Sequence, residues 1–293
     1  MNIFVSSASS YVGSFITSRL LDYGFKVSGT YRTNLEKLKG FQNHKNFKAI
    51  NLNHGFQTPI STYNDQFDVL INSTGSFPCA NNNVEDILSA NIKAAYCINL
   101  QSKIQRKKPK LIINFSSLSV YGDLKIKKIN KSTLPSPIDL YGTTKLLSEQ
   151  IISNEISEYL PVVHIRFPVV LGKGAHRAWL PTLREKIIRN EQIKIYNKNS
   201  YYSSCTTLKA VFDFVMELVK NKVENGEYFS PIGSVPDLKI IEIFKKLSER
   251  YNYSKKPYFL DSKVPCCSVD SSSANLIGYK TPTTSECIDY WLS

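Results

Sequence analysis

No apolar run in this chain approaches the roughly 18–20 residues that a helix needs to cross a bilayer, so no membrane span is expected. The amino terminus also lacks a charged stretch followed by a secretory apolar core; Met1-Asn2-Ile3-Phe4-Val5 runs straight into a strand pattern. Cysteine is sparse. The six residues Cys79, Cys97, Cys205, Cys266, Cys267 and Cys287 include no Cys-x-x-Cys pair. Without metal-ligand spacing no metal site is predicted, and the thiols read as reduced small hydrophobes. A cytoplasmic location is the expectation from these features together. Acidic residues are few: 24 Asp+Glu stand against 37 Lys+Arg, a net +13. Such an excess attracts nucleic acid, membrane surfaces or phosphorylated small ligands. The cations are scattered in short groups such as Arg106-Lys107-Lys108, with no polybasic tail and no zinc-finger or ribonucleoprotein signature. Neither nucleic acid nor membrane is therefore the expected partner. The charge is assigned to solvated surface and to attraction for phosphorylated ligands.

What is present is an alternation of strands and helices from the first residue. Short apolar runs at Ile3–Val5, Phe25–Tyr31, Phe47–Leu52, Phe67–Asn72, Leu111–Phe115 and Val162–Phe167 read as strands. Helical spacing marks Val12–Tyr23, Asn83–Lys103 and Leu140–Tyr159. Buried strands separated by helices predict an α/β fold: a Rossmann-type doubly wound parallel sheet. After Phe167 the loops lengthen, and helices are expected over Pro181–Asn190, Leu208–Lys220 and Lys239–Arg250. Residues 1–167 are thus read as the dinucleotide-binding core. Residues 168–293 are read as a small substrate-capping region, interleaved with that core rather than independent.

The turn after the first strand, with Ser7, Ser9, Ser10, Tyr11, Val12 and Gly13, stands where such sheets meet a pyrophosphate through backbone N–H groups and a helix N-terminus. Two of the three expected glycines are replaced, by Ser7 and Ser10, and Gly13 remains. The Ser10 hydroxyl is positioned to donate to a phosphate. An ordinary strand–helix turn that binds nothing is the alternative. After the second strand comes Tyr31-Arg32 and no acid, which favours the 2′-phosphate of NADP over the ribose of NAD.

Ser116-Ser117-Leu118-Ser119-Val120-Tyr121-Gly122 closes the fifth strand, and Tyr141-Gly142-Thr143-Thr144-Lys145 opens the next helix. Residues four apart share a helix face, so Tyr141 and Lys145 can enter one cleft. A phenol near pKa 10 is a poor acid or base at neutral pH until an ammonium steadies its phenolate. Ser117 can bond the substrate oxygen that Tyr141 protonates, and Asn91 can support Lys145 through a water. These motifs, with Asp68–Gly75 and more weakly Arg166-Phe167-Pro168 and Gly172-Lys173-Gly174, resemble the extended short-chain dehydrogenase/reductase family, epimerase/dehydratase branch. The resemblance implies that Ser117, Tyr141 and Lys145 are catalytic. It implies a dinucleotide lined by Ser7, Gly13, Arg32, Asn51, Leu52, Ser73, Thr74, Gly75 and Pro168. It also implies a nucleotide-sugar substrate beside Ser117, Leu118 and Ser119, a role in polysaccharide synthesis, and a homodimer formed through the helices at Asn83–Lys103 and Leu140–Tyr159.

Dehydratases of that family carry an Asp-Glu pair directly after the catalytic hydroxyl residue. Leu118-Ser119 stands there instead, so a 4,6-dehydratase is not expected. The short capping region and Arg32 make the 4-keto reductases the most similar members. An epimerase, or a non-catalytic nucleotide-binding member, is the alternative. Lys173 and Arg177 are candidates for a diphosphate and Trp179 for a base or sugar; Trp179 can equally anchor the next helix.

Overall fold

The computed structural model describes residues 1–32, 36–52, 66–78, 83–123, 128–176, 178–262 and 266–293; Cys79 and Arg177 lie outside the described residues. The first strand, β1 (Asn2–Ser6), is buried from its second residue on, as a strand covered on both faces must be. Ser10 caps α1 (Tyr11–Asp22), and Gly24, at φ 83°, turns the chain towards β2 (Lys26–Tyr31). Then come β3 (Phe47–Asn51), β4 (Val69–Asn72) and α2 (Val84–Ile104), which opens on a capping box between Asn83 and Asp86. Next are β5 (Leu111–Ser117), a 3₁₀ turn at Leu118–Tyr121, β6 (Lys128–Ile129) and α3 (Leu140–Ser153), capped by Asp139. β7 (Pro161–Phe167), β8 (Val169–Leu171), α4 (Trp179–Ile188), β9 (Lys194–Tyr196), β10 (Cys205–Thr207), α5 (Leu208–Lys220) and β11 (Gly226–Pro231) follow. The chain ends with α6 (Ile240–Arg250), β12 (Tyr258–Leu260), β13 (Ser268–Val269), α7 (Ser272–Asn275) and α8 (Thr284–Leu292).

The helix expected over Leu140–Tyr159 stops at Ser153. Asn154 leaves helical geometry at ψ 118° and Glu155 takes φ 64°, so the apolar residues beyond belong to the loop into β7.

The described chain forms two compact units. The first comprises Met1–Asp123, Leu134–Arg166 and Phe212–Ser230; the second comprises Leu124–Thr133, Phe167–Val211 and Pro231–Ser293. The first holds a seven-stranded parallel sheet in the order β11-β7-β5-β4-β1-β2-β3. The strand order reverses about β1, which opens a crevice at the carboxyl ends of β1 and β4. On one sheet face Phe4, Leu70, Ile112 and Val162 form an apolar row against Ala95 and Ile98 of α2 and Ile152 of α3. On the other face α1 and α5 meet edge to face through Phe15 and Phe212, 6.5 Å between centroids. The second unit has its own core, in which Leu183 and Ile187 of α4 join Ile243 and Leu247 of α6 and Ile288 and Trp291 of α8. Its strands pair in twos, β8 with β10, β9 with β12 and β6 with β13. Among the described residues no helix is long and apolar enough to cross a membrane.

Candidate functional site

Ser6, Asn72 and Asn114 lie side by side in register near the carboxyl ends of β1, β4 and β5, and the candidate residues of the first unit gather just beyond them. Ser7 takes φ 51°, the left-handed region a glycine enters without strain. Its N–H donates to Thr30 Oγ1 at 2.8 Å, and its hydroxyl pairs with Thr74 Oγ1 at 3.0 Å. Gly13 is required by close approach: a Cβ there would lie 2.4 Å from Ser7 O and 2.5 Å from Ser73 Oγ. Ser10 Oγ accepts from Gly13 N–H at 3.0 Å, so the hydroxyl expected to face a phosphate caps its own helix with a lone pair and keeps its proton to donate. Ser9, Tyr11 and Val12 are half-buried around it. No acid stands in the first turn of α1, which leaves that N-terminus attractive to an anion.

The neighbouring strands end at the same level. Arg32 follows β2 and is exposed; Asn51 closes β3 opposite Tyr31 and is exposed. Leu52 donates its N–H to Tyr31 O at 2.8 Å and packs on the core beneath. Beyond β4, Ser73 and Thr74 are buried. Ser73 Oγ donates to Ser6 O, and Ser73 N–H donates to Ser6 Oγ at 3.0 Å.

Lys145 is 1% exposed and donates from Nζ to Thr74 O at 2.9 Å. Burial lowers its pKa to about 8, against the opposing pull of the Glu149 carboxylate. One turn earlier on α3, the Tyr141 ring stacks on Phe77 at 4.0 Å and 22°. Gly75 leaves room beside it: a Cβ there would stand 3.6 Å from Tyr141 Oη. Gly142 lets the start of α3 lie on the turn after β5, since a Cβ there would be 2.4 Å from Ser119 O. Ser117 Oγ caps that turn, accepting from Ser119 N–H and donating to Ser119 Oγ, each at 3.1 Å. Leu118 and Ser119 are half-buried. Tyr141, Lys145, Ser117 and the α1 turn are thus brought to one end of one sheet. Asn91 bonds a neighbour of Lys145: its Oδ1 accepts from Ser76 N–H at 2.7 Å, and its Nδ2 donates to Thr144 Oγ1 at 2.9 Å.

The remaining candidates belong to the second unit. Pro168 is half-buried between β7 and β8, and Lys173 is exposed. Trp179 begins α4, packs on the core of its unit and lies 5.2 Å from the Tyr202 ring.

One set of buried charges went unread in the sequence. Glu149 receives Arg166 Nε at 3.0 Å and Nη2 at 2.8 Å, and Arg166 Nη1 donates to Tyr121 Oη at 2.8 Å. The guanidinium also lies 5.0 Å from the Tyr121 ring centroid and 4.5 Å from that of Phe229. The available signal was a glutamate four residues after Lys145, on the helix face that turns inward.

A dinucleotide is the group that this turn implies, and the residues present fit it. The α1 N-terminus is free of acid. Ser7, Ser9 and Ser10 form the turn that leads into it, and Ser10 Oγ caps it. Gly75 leaves space beside Tyr141, and the buried ammonium of Lys145 lies one turn along the same helix.

No curated protein sequence matches the chain. The UDP-glucuronic acid 4-epimerase of Bacillus cereus, solved in complex with NAD, superposes with a TM-score of 0.79 at 19% identity, over 100% of this chain and 99% of that one. The UDP-glucose 4-epimerase of Thermotoga maritima, solved with UDP-glucose, gives 0.77 at 18%, over 100% and 99%. The dTDP-glucose 4,6-dehydratase of Bacillus anthracis, in complex with NAD, gives 0.76 at 15%, over 100% and 95%. At these identities the likeness establishes the fold. The sequence itself matches the NAD dependent epimerase/dehydratase family over residues 3–216, more than half of its length. The chain therefore belongs to the NAD dependent epimerase/dehydratase family.

Proposed function

We propose that the chain is a dinucleotide-dependent oxidoreductase of a nucleotide-activated sugar. The observation that carries this reading is the meeting of Tyr141, the buried ammonium of Lys145 and the Ser117 turn at the carboxyl ends of the sheet, beside the N-terminus of α1. The Lys145 ammonium steadies the Tyr141 phenolate and brings a phenol of ordinary pKa near 10 towards the working pH. Tyr141 Oη then exchanges a proton with the sugar oxygen, and Ser117 Oγ, turning its hydrogen away from Ser119 Oγ, donates to that same oxygen. A bound dinucleotide supplies or takes the hydride at its nicotinamide. Lys173 and Trp179 are the proposed substrate contacts, and Pro168 a proposed cofactor contact. The exposed Leu88 and Tyr96 of α2 and Leu147 of α3 are the proposed centre of a dimer interface.

Reduction of a 4-keto-6-deoxy sugar is the first reading, because Leu118 and Ser119 occupy the positions where dehydration needs carboxylates. Epimerisation is the second, favoured by the family match and by the likeness to two UDP-sugar 4-epimerases. The exposed Arg32 favours NADP, whereas two of these neighbours were solved in complex with NAD. Fluorescence of NADH and NADPH on mixing with the protein checks the first step; no binding at submillimolar cofactor would overturn the oxidoreductase reading. With cofactor bound, Tyr141→Phe abolishes turnover and leaves binding intact. Loss of NAD(P)H with a nucleotide 4-ketosugar identifies a reductase. Interconversion of UDP-sugars without net cofactor loss identifies an epimerase.

A further inference from the structure

The carboxylate of Glu149 stands one turn beyond Lys145 on the same face of α3, and both residues are 1% exposed. Arg166 from β7 grips both oxygens of Glu149, and Tyr121 holds the far side of the guanidinium at 2.8 Å. The carboxylate is therefore fixed in direction, in an interior where a charge acts over distance with little screening.

Among the described residues, the other groups bonded to Lys145 or to its neighbours are neutral. Thr74 offers a neutral carbonyl from the end of β4. Asn91 of α2 and Thr144 are neutral and bonded to each other at 2.9 Å. Tyr141 is the phenol on its own helix, and Tyr121 lies on the 3₁₀ turn, bonded to Arg166. Glu149, one turn along the same buried face of α3, is the charged group that opposes the effect of burial on Lys145, and Arg166 lies beyond it, on the carboxylate.

We propose that Glu149, clamped by Arg166, is a positioning residue that keeps Lys145 an ammonium in a dry interior. The consequence for proton transfer at Tyr141 rests on the function proposed above. Without the carboxylate, burial acts on Lys145 unopposed, the amine is neutral over more of the physiological range, and the phenolate loses its partner.

The test reads Lys145 directly. Lysine labelled with ¹³C at Cε is followed by NMR against pH in the full chain without ligand, its signal assigned by its loss in Lys145→Met. The wild-type midpoint is expected near pH 8. Glu149→Gln is expected to lower it by about one unit, and Glu149→Asp, which keeps the charge, to restore it to within about half a unit of wild type. Circular dichroism reports whether each variant is folded. Should Glu149→Gln fail to fold, Glu149→Gln combined with Arg166→Met removes the pair without leaving a bare guanidinium, and the midpoint is still expected below wild type. An unchanged midpoint in a folded variant lacking the carboxylate overturns the proposal. Loss of fold in both variants assigns the pair a purely structural role and overturns it equally. Failure of cofactor binding would sink the oxidoreductase reading while leaving this titration untouched.

Discussion

Lys145 shows how one residue sets function against stability. Its pKa falls from 10.5 to about 8 because burial disfavours the ammonium. Below pH 8 both the folded and the unfolded chain carry the proton, so the folded state bears the full penalty of a buried charge. That penalty is on the order of 3 kcal/mol, at 1.36 kcal/mol per unit. Between pH 8 and 10.5 the unfolded chain binds more protons, so this contribution makes stability rise with pH and the penalty fades. Lys145→Met is therefore expected to be more stable than wild type at pH 7, by a margin that closes towards pH 10.5, and to be inactive. Urea unfolding at pH 7 and pH 10 measures the margin; a variant less stable than wild type at pH 7 would show that the Nζ bond to Thr74 outweighs desolvation. Tyr141 and Lys145 were legible in the sequence by their spacing and by the motif around Ser117. Glu149 was not, because a glutamate on a helix reads as a solvated residue until Arg166, seventeen residues away on another element, is seen beneath it.

At the scale of elements, the sheet face under α2 and α3 changes character towards its carboxyl end. Phe4, Leu70, Ile112 and Val162 form the apolar row. Two residues further along the same strands come Ser6, Asn72, Asn114 and His164. Ser6 Oγ donates to Asn72 Oδ1 at 2.7 Å, Asn72 Nδ2 to Asn114 Oδ1 at 2.9 Å, and Asn114 Nδ2 to His164 Nδ1 at 3.0 Å. His164 Nε2 therefore carries the ring hydrogen and meets Ser153 at 2.8 Å and Glu227 of β11 at 3.1 Å. Every donor in this row points the same way, from the Ser6–Ser7 turn towards Glu227, so one broken link leaves two buried partners unpaired. Asn114→Leu is expected to destabilise the chain by about 2–4 kcal/mol, because Asn72 Nδ2 and His164 Nδ1 both lose their bonds. Ile112→Val, one step down in the apolar row, should cost only about 1 kcal/mol. Chemical denaturation compares the two, and equal effects would mean that the row does not hold the sheet. The strands themselves were readable as apolar runs, whereas Asn72, Asn114 and His164 look like isolated interruptions in a single sequence. Only the register aligns them. The two- and three-residue strands of the second unit were not readable at all, being shorter than any period they could display.

For the whole molecule, the membership of the two units follows long-range pairing more than chain order. Lys128–Ile129 pairs with Ser268–Val269, which ties a segment from the middle of the chain to the second unit, and no local composition marks that pairing. Charge, by contrast, is fully legible, and it acts on every part of the chain at once. A net +13 leaves more cations than the acids can neutralise, and the described ion pairs apart from Glu149–Arg166 lie at least partly at the surface. Exposed pairs contribute little, so the excess acts mainly as self-repulsion and as attraction for anions. Both effects reach over the Debye length, which falls from about 30 Å at 10 mM salt to about 10 Å at 100 mM. Raising salt over that range should therefore move two quantities in opposite directions. The thermal midpoint should rise as repulsion is screened, and the affinity for a doubly charged UDP-sugar should fall as attraction is screened. Scanning calorimetry and equilibrium titration at matched salt read the pair. A midpoint that falls together with the affinity would locate the excess cations in stabilising contacts instead, and would remove net charge as the reason an anionic ligand is drawn to this protein.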